Sequence, residues 1–562
     1  MFCRNDGTPL VSAPASSESS TAQFDASEVH TSILPHNTDA AVTRGTGPTT
    51  SLPIHPSTST TKELPGRPGR KIVIPVVALI LLVGIPVAVY LASGTLFGPT
   101  KDKGIESVAV LPFENKSGNA DSEYLSDGLA ESLIYRLSQV SNLKVSPRSS
   151  VFRYKGKEID AEKIGNELGV DAVMSGRLTQ RGDNLTISVD LIDVRNKKTL
   201  WGEQFERKMS DLLTTQSEIA SAIAQKLQLK LSGNDSSGIS KQYTVDNEAY
   251  QLYLQGRYFW NKRQSGHLKK ATELLKAATE KDPNFALAYA GLADCYAVSY
   301  YYVGQRPREL MPLALTYAAK AIELDPTLAE PHTTTAFVSW LLERDKAAAE
   351  RKFLRAIELN PNYPTAHHWY SRFLRGTGRI DDGLREIKRA EELDPLSLVI
   401  INNIAEIYID KGDFTSAARE CQRMMDLDPN FWAAHQTLGL MLTRQGRYEE
   451  ALVEAQKSTQ LADRSNASLA LLGHVYAKLG RRGEADAVLK ELEGRYANKA
   501  ADARDLAVFY AALDKEKAFE WLEKAFKDQS VFLVFLRLEP LMEPLHSDPR
   551  WEDLLRRVGV VD

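Results

Sequence analysis

Two abrupt changes of pattern predict a multidomain chain: a disordered N-terminal tail, one transmembrane helix, a small α/β domain and an all-α repeat superhelix. The first change is an uncharged apolar stretch that begins at residue 72. The second, past Asn247, replaces alternating strand and helix signals with helical pairs punctuated at a fixed interval. A length of 562 residues agrees, because a single core rarely grows beyond about 250–300 residues.

Residues 1–70 carry only Phe2 and Phe24 as aromatics and are dominated by Ser, Thr, Pro and Ala. Such a composition buries too little apolar surface to offset ordering entropy, which predicts a disordered tail. Its opening, "MFCRNDGTPLV", is similar to the closing half of a short zinc-ribbon motif. A tetrahedral zinc site needs four ligands and three are missing, so no metal is expected there.

Between Lys71 and Lys101 there is no charged residue. The stretch "IVIPVVALILLVGIPVAVYLAS", residues 72–93, would reach about 33 Å as a helix, enough to span a bilayer. Residues 71–94 are therefore expected to form a transmembrane helix, in which Pro75 and Pro86 are tolerable. Lys62, Arg67, Arg70 and Lys71 precede it, while Lys101 and Lys103 follow beside Asp102. The positive-inside rule then puts the N-terminus in the cytoplasm and everything beyond the span in the periplasm, so the chain is expected in the inner (cell) membrane.

Residues 104–233 alternate strand and helix. "SVAVLPF" is a short apolar strand, and "SEYLSDGLAESLIYRLSQV" places Leu125, Leu129, Leu133, Ile134 and Leu137 on one helical stripe. "DAEKIGNELGV" reads as a helix stopped at Gly169. "DAVMSGRLTQ" and "NLTISVDLIDV" read as strands joined at Arg181-Gly182-Asp183, which is good hairpin chemistry rather than an adhesion tripeptide. The ordered series "VAVLPFENKSG", "YLSDGLAESL", "SSVFRYKGK", "IGNELGVDAVMSGRL", "VDLIDV" and "LWGEQFER" resembles the TolB amino-terminal-like domain of bacterial membrane-anchored proteins. That resemblance implies a small periplasmic fold used for contacts between proteins, with no catalytic residues. The loop "ENKSGNADSE" has only Gly118 and no Lys-Ser/Thr pair, so it is a structural loop and not a phosphate cradle. Asp121 and Ser122 are expected to cap the helix that follows.

From residue 247 to 528, prolines in "KDPNFA", "LDPTLA", "LNPNYP", "LDPLSL" and "LDPNFW" stand at 283, 326, 361, 395 and 429, settling to a spacing of 34. Ala417, Ala451 and Ala485 align at that period, as do Gly412, Gly446 and Gly480, and Gly439 with Gly473. The pattern resembles tetratricopeptide repeats and implies about eight helical hairpins, stacked so that the first helix of each lines one groove. The insert "VSYYYVGQRPREL" is expected to project as an aromatic loop. Residues 529–562, with Trp551, Leu554 and Leu555 on one helical face, are expected to cap the last repeat.

The charge balance, 69 basic against 73 acidic residues, offers no electrostatic footprint for nucleic acid. Three scattered cysteines, Cys3, Cys295 and Cys421, provide neither a disulfide framework nor a metal set. His332, His367 and His435 recur at one repeat position and read as packing residues. No protein-kinase loop or glycine-rich strand-turn-strand is present, so no catalytic residue, cofactor, metal or small-molecule substrate is expected. Groove-facing positions select His368, Arg372, Arg375, Asn402, Glu406, Gln436 and His474 as candidates to hold a protein or peptide partner. The two arginines are suited to an acidic segment by bidentate pairing. The function these features predict is a non-catalytic, membrane-anchored periplasmic scaffold. The alternative is a signalling receptor or transmembrane regulator related to kinase- or winged-helix-linked proteins of similar architecture but lacking their output module.

Overall fold

The computed structural model describes residues 105–119, 122–140, 142–158, 160–227, 239, 241–262, 265–302 and 307–561. The tail, the zinc-ribbon-like opening and the 71–94 span predicted from sequence lie outside these residues. Among the described residues, no helix is long and apolar enough to cross a membrane. They belong to one unit, Pro99–Asp562.

The sheet starts at β1 (Ser107–Val110), whose four side chains are all buried. That is the pattern of a parallel strand covered on both faces. β2 (Glu114–Asn115), α1 (Glu123–Ser138), β3 (Lys144–Val145), α2 (Arg148–Val151) and α3 (Ala161–Leu168) follow. Three long strands then run antiparallel, β4 (Ala172–Arg181), β5 (Asn184–Asp193) and β6 (Lys198–Lys208), before α4 (Leu212–Lys226). Strand order is β3-β1-β4-β5-β6, with β2 beside β4. β5 alternates buried and half-buried side chains, as a strand with one face on the core must. Gly182 turns between β4 and β5 at φ 61°, confirming the hairpin expected there. Gly169 ends α3 in the left-handed region. Ser122 does not cap α1 through its side chain; its hydroxyl donates instead to Gln180 Oε1 at 2.7 Å. Asp121 lies outside the described residues.

Eight helical hairpins follow. They are α5 (Asn247–Asn261) with α6 (Ser265–Lys281), α7 (Ala286–Tyr302) with α8 (Pro307–Leu324), α9 (Ala329–Glu343) with α10 (Lys346–Leu359), and α11 (Pro364–Gly376) with α12 (Ile380–Leu393). The array continues with α13 (Leu398–Asp410) and α14 (Phe414–Leu427), α15 (Trp432–Arg444) and α16 (Tyr448–Leu461), α17 (Asn466–Lys478) and α18 (Arg482–Ala497), and α19 (Ala503–Tyr510) with α20 (Lys515–Lys527). Each joint of the regular repeats needs one residue in the left-handed region. Gly378, Gly412, Gly446 and Gly480 supply it at φ 85°, 75°, 74° and 71°. One repeat earlier the same joint is made by Arg344 at φ 59°. Ala417, Ala451 and Ala485 are buried where the helices of a hairpin approach most closely. The recurring histidines close the loops between repeats: Nε2 of His332, His367 and His435 lies 3.3, 3.1 and 3.4 Å from the carbonyl of Pro326, Pro361 and Pro429. On the opposite ring nitrogen, Glu386 and Glu454 hold His367 and His435 at 2.7 Å. Cys295 and Cys421 are buried, and burial pushes the Cys421 thiol up to about 12.

The C-terminal segment only partly fits the sequence reading of a cap. α21 (Pro549–Val558) does lie on α20, with Arg550 paired to Glu516 at 2.7 Å and Arg557 to Glu523 at 2.6 Å. Between α20 and α21, two 3₁₀ stretches, Val531–Leu538 and Pro540–Leu545, leave the last repeat and cross the inner face of the array. They pack on α9, α11 and α15. The physical reason is in "VFLVFLRLEPLMEPL": consecutive apolar residues need cover on more than one side, and Pro540 and Pro544 forbid a regular α-helix.

Candidate functional site

First helices of successive hairpins touch one another, α9 with α11, α11 with α13, and α13 with α15, so they line one continuous inner face. Its aromatic part is built from α9 and α11. Phe337 and Trp369 rings are 4.6 Å apart, and Trp340 meets Phe373 edge-on at 5.5 Å. Phe373 and Trp340 are buried while Trp369 is partly exposed. Gly376 is needed beside them, because a Cβ there would sit 2.5 Å from Trp340. Beyond the rings the face becomes ionic. Arg375 pairs with Glu406, and with Asp410 at 2.5 Å. Burial pushes the Asp410 carboxyl up, with Arg375 opposing. A recess of about 110 Å³ opens here, lined by Asp410, Arg444, His546 and by Arg537, Glu539 and Glu543 of the crossing segment.

That segment fills the aromatic part. Val531 and Val534 are buried among Phe337, Trp340 and Phe373. Phe535 stands edge-on to Trp340 at 5.2 Å, and the Arg372 guanidinium lies 5.2 Å from its centroid. Glu539 pairs with Arg504.

The other end of the inner face is covered by the α/β domain. Glu131 of α1 accepts from Arg148 Nε at 3.1 Å, from Arg257 Nε at 3.0 Å and from Asn261 Nδ2 at 2.7 Å. Burial opposes ionisation of Glu131, yet Arg257 and Arg148 hold its carboxyl below the ordinary range. Ser150 of α2 donates to Asp394 at 2.8 Å, and Ser149 donates to the same carboxylate. Arg136 reaches the carbonyls of Ile239 and Lys241 at 2.7 and 2.9 Å. Glu330 on α9 is pushed up to about 7 by burial, with Asp294 and Asp325 adding and Arg257 opposing. Its Oε2 is buried with no hydrogen-bond partner among the described residues.

The seven groove candidates do not form one site. Arg375, Asn402 and Glu406 come together: Asn402 donates to Glu406 at 2.8 Å and accepts from Thr437 at 2.8 Å. Because Arg375 is already matched by two carboxylates, an acidic guest would meet Glu406 and Asp410 as well. Arg372 serves the crossing segment. His368 is buried against Asn403 at 3.0 Å. Gln436 and His474 belong to packing between repeats: Gln436 bonds Ala467 and Ser458, and His474 Nδ1 lies 3.0 Å from the Val508 carbonyl. Burial pushes His474 down to about 4. Sequence reasoning missed Phe337, Trp340 and the 531–545 segment. The available signal was "VFLVFLRL", too apolar for a surface tail and without a helical stripe.

Residues 104–222 match the family model described as HilA/YgeH-like transcriptional regulator, second domain, and residues 402–467 match that of the tetratricopeptide repeat. A curated relative, "Putative adenylate cyclase 3" of Rhizobium meliloti (strain 1021), is 33% identical over 244 residues. The match takes in 43% of this chain and spans 41% of the relative's length. Among solved structures, Pseudomonas aeruginosa pilF is similar at 19% identity, covering 38% of this chain and 93% of its own, with a TM-score of 0.31. A tetratricopeptide repeat protein from Parabacteroides merdae is similar at 16% identity, covering 50% and 100%, with a TM-score of 0.34. The chain carries tetratricopeptide repeats joined to a small mixed-sheet domain.

Proposed function

We propose that this chain is a non-catalytic, membrane-anchored periplasmic scaffold that binds protein or peptide partners on the inner face of its repeats. The observation that carries the reading is that this face already holds a peptide, the chain's own 531–545 segment, by its side chains. The uncharged stretch 72–93 and the basic residues before it support the anchor and its direction. The α/β domain, similar to TolB amino-terminal-like domains over the motifs quoted above, serves as the docking module that orients the array. Crosslinking from membranes with the intact protein tests this: a periplasmic protein should be captured, and less of it after Arg372→Glu. Capture no greater than that by an unrelated membrane-anchored repeat protein would count against it. Carbonate extraction and protease protection test the anchor.

A second reading, a signalling regulator, is favoured by the match of residues 104–222 to a transcriptional-regulator domain and by the name of the Rhizobium relative. It predicts enrichment of cytoplasmic kinases or regulators in the same capture. Incubating the purified chain with ATP and Mn²⁺ separates a further possibility: the scaffold reading expects no cyclic AMP above buffer, and its formation would make the chain an enzyme.

A further inference from the structure

The 531–545 segment differs from the rest of the array in how it is held. It leaves α20 through Gln529, which lies in the left-handed region at φ 52°. It returns to the same helix, since α21 is tied to α20 by the Arg550–Glu516 and Arg557–Glu523 pairs. With both feet on one helix it forms a closed loop, whose Leu533, Leu536, Leu541, Met542 and Leu545 are buried in the core shared with α17, α19 and α21. Its backbone hydrogen bonds are local 3₁₀ bonds such as Glu539 N to Leu536 O at 3.2 Å and Met542 N to Glu539 O at 3.1 Å. What attaches it to α9 and α11 is therefore side chains: Val531 and Val534 among the rings, and Phe535 between Trp340 and Arg372. Two polar anchors follow in fixed order. Arg537 lies at Gly378 and at the recess holding Asp410, and Glu539 lies on Arg504.

We propose that the inner face of α9, α11 and α15 is a peptide-reading surface, that 531–545 is its internal stand-in, and that a partner segment of the same chemistry displaces it. That chemistry is two adjacent apolar residues of which the second is aromatic, a basic residue two positions on, and an acidic residue two further, without regular helix. The proposal rests on the scaffold reading above and names the partner class for it. A tethered occupant competes at an effective concentration in the millimolar range for short linkers, so the intact chain binds such a guest weakly and a chain with a loosened segment binds it strongly.

The test uses the full chain in detergent and a fluorescent peptide with the sequence of residues 530–545. The double variant Val534→Asp/Phe535→Ser should bind that peptide at least about tenfold more tightly than the unaltered protein. It should ignore a peptide carrying the same two changes. Equal binding by both proteins, or no binding by a variant that still melts cooperatively, would overturn the proposal. Should the variant fail to fold, hydrogen exchange on the unaltered chain decides. With excess peptide, residues 531–545 should exchange faster while α9 and α11 stay protected. Opening of the segment only together with those helices would show it to be fixed core. If these measurements fail while membrane crosslinking still captures a partner, the partner sits on another face and the scaffold reading stands; if both fail, both go.

Discussion

At one contact the inner face of the repeats meets α1 and α2 through carboxylates, guanidiniums and hydroxyls, whereas at the other, across α9 and α11, it meets the 531–545 segment through rings and branched side chains. The first contact is selective by penalty. Glu131 without Arg148 and Arg257, or Asp394 without Ser149 and Ser150, would leave a carboxylate with too few partners, so only a surface with matching groups fits. The second contact is tolerant, because apolar cores accept substitutions of similar volume. One face can thus hold its own domain in a single register and still offer a site open to exchange.

Four experiments sharpen or break this contrast. The largest effect belongs to Trp340→Ala, which empties the centre of the aromatic part and should cost about 4 kcal/mol in urea unfolding. Combined with Phe535→Ala it should be strongly non-additive, while combined with Glu131→Ala it should be additive within about 0.5 kcal/mol. Coupling between Trp340 and Glu131 would mean that the two contacts act as one.

Acid comes next, and the repeat packing at α17 and the contact with the α/β domain should answer it in opposite directions. His474 has its folded value depressed, so its contribution is present above the unfolded value near 6.5 and is lost as pH falls toward about 4. The loss is on the order of 3 kcal/mol. Glu330 has its folded value raised to about 7, so its contribution is present at low pH and is lost as pH rises from the ordinary carboxylate range through 7. Hydrogen exchange at pH 7 and pH 5 should show α17 loosening on acidification while α1 and the first turn of α9, around Glu330, tighten. The same sign at both places would show that these two groups do not carry the response.

Glu131→Ala should cost less than a fully buried pair would, about 2 kcal/mol, because Glu131 and Arg257 side chains keep 18% and 20% exposure. Its thermal midpoint should lose part of its sensitivity to salt. The smallest change is Gly412→Ala. A Cβ there meets nothing within 4 Å, so only the left-handed backbone resists, and the cost should be about 1 kcal/mol at either end of the array.

The repeat architecture was legible because its signals are local. A proline, a joint glycine and a small alanine recur at 34 residues, and each is needed by its own hairpin. Even the irregular joint at Arg344 has its place in that count. The site was less legible. Arg375 and Glu406 meet across neighbouring first helices, but periodicity cannot tell an arginine awaiting a guest from one matched by Asp410 in the next repeat. His474 has the spacing of a groove residue and the burial of a core one, since the face closes around it. The crossing of 531–545 was hidden because contact between residues some 200 positions apart leaves no period to read.

The segment that closes the groove is made only after the groove it closes. Every hairpin is complete before residue 531 exists, and the segment 531–545 then takes roughly 1–3 s at ordinary rates of synthesis. For that interval the trough of Phe337, Trp340 and Phe373 is bare, and whichever apolar segment is nearest can enter it. Maturation of this groove therefore includes a contest, and its outcome is decided by whether its own segment or a neighbour arrives first.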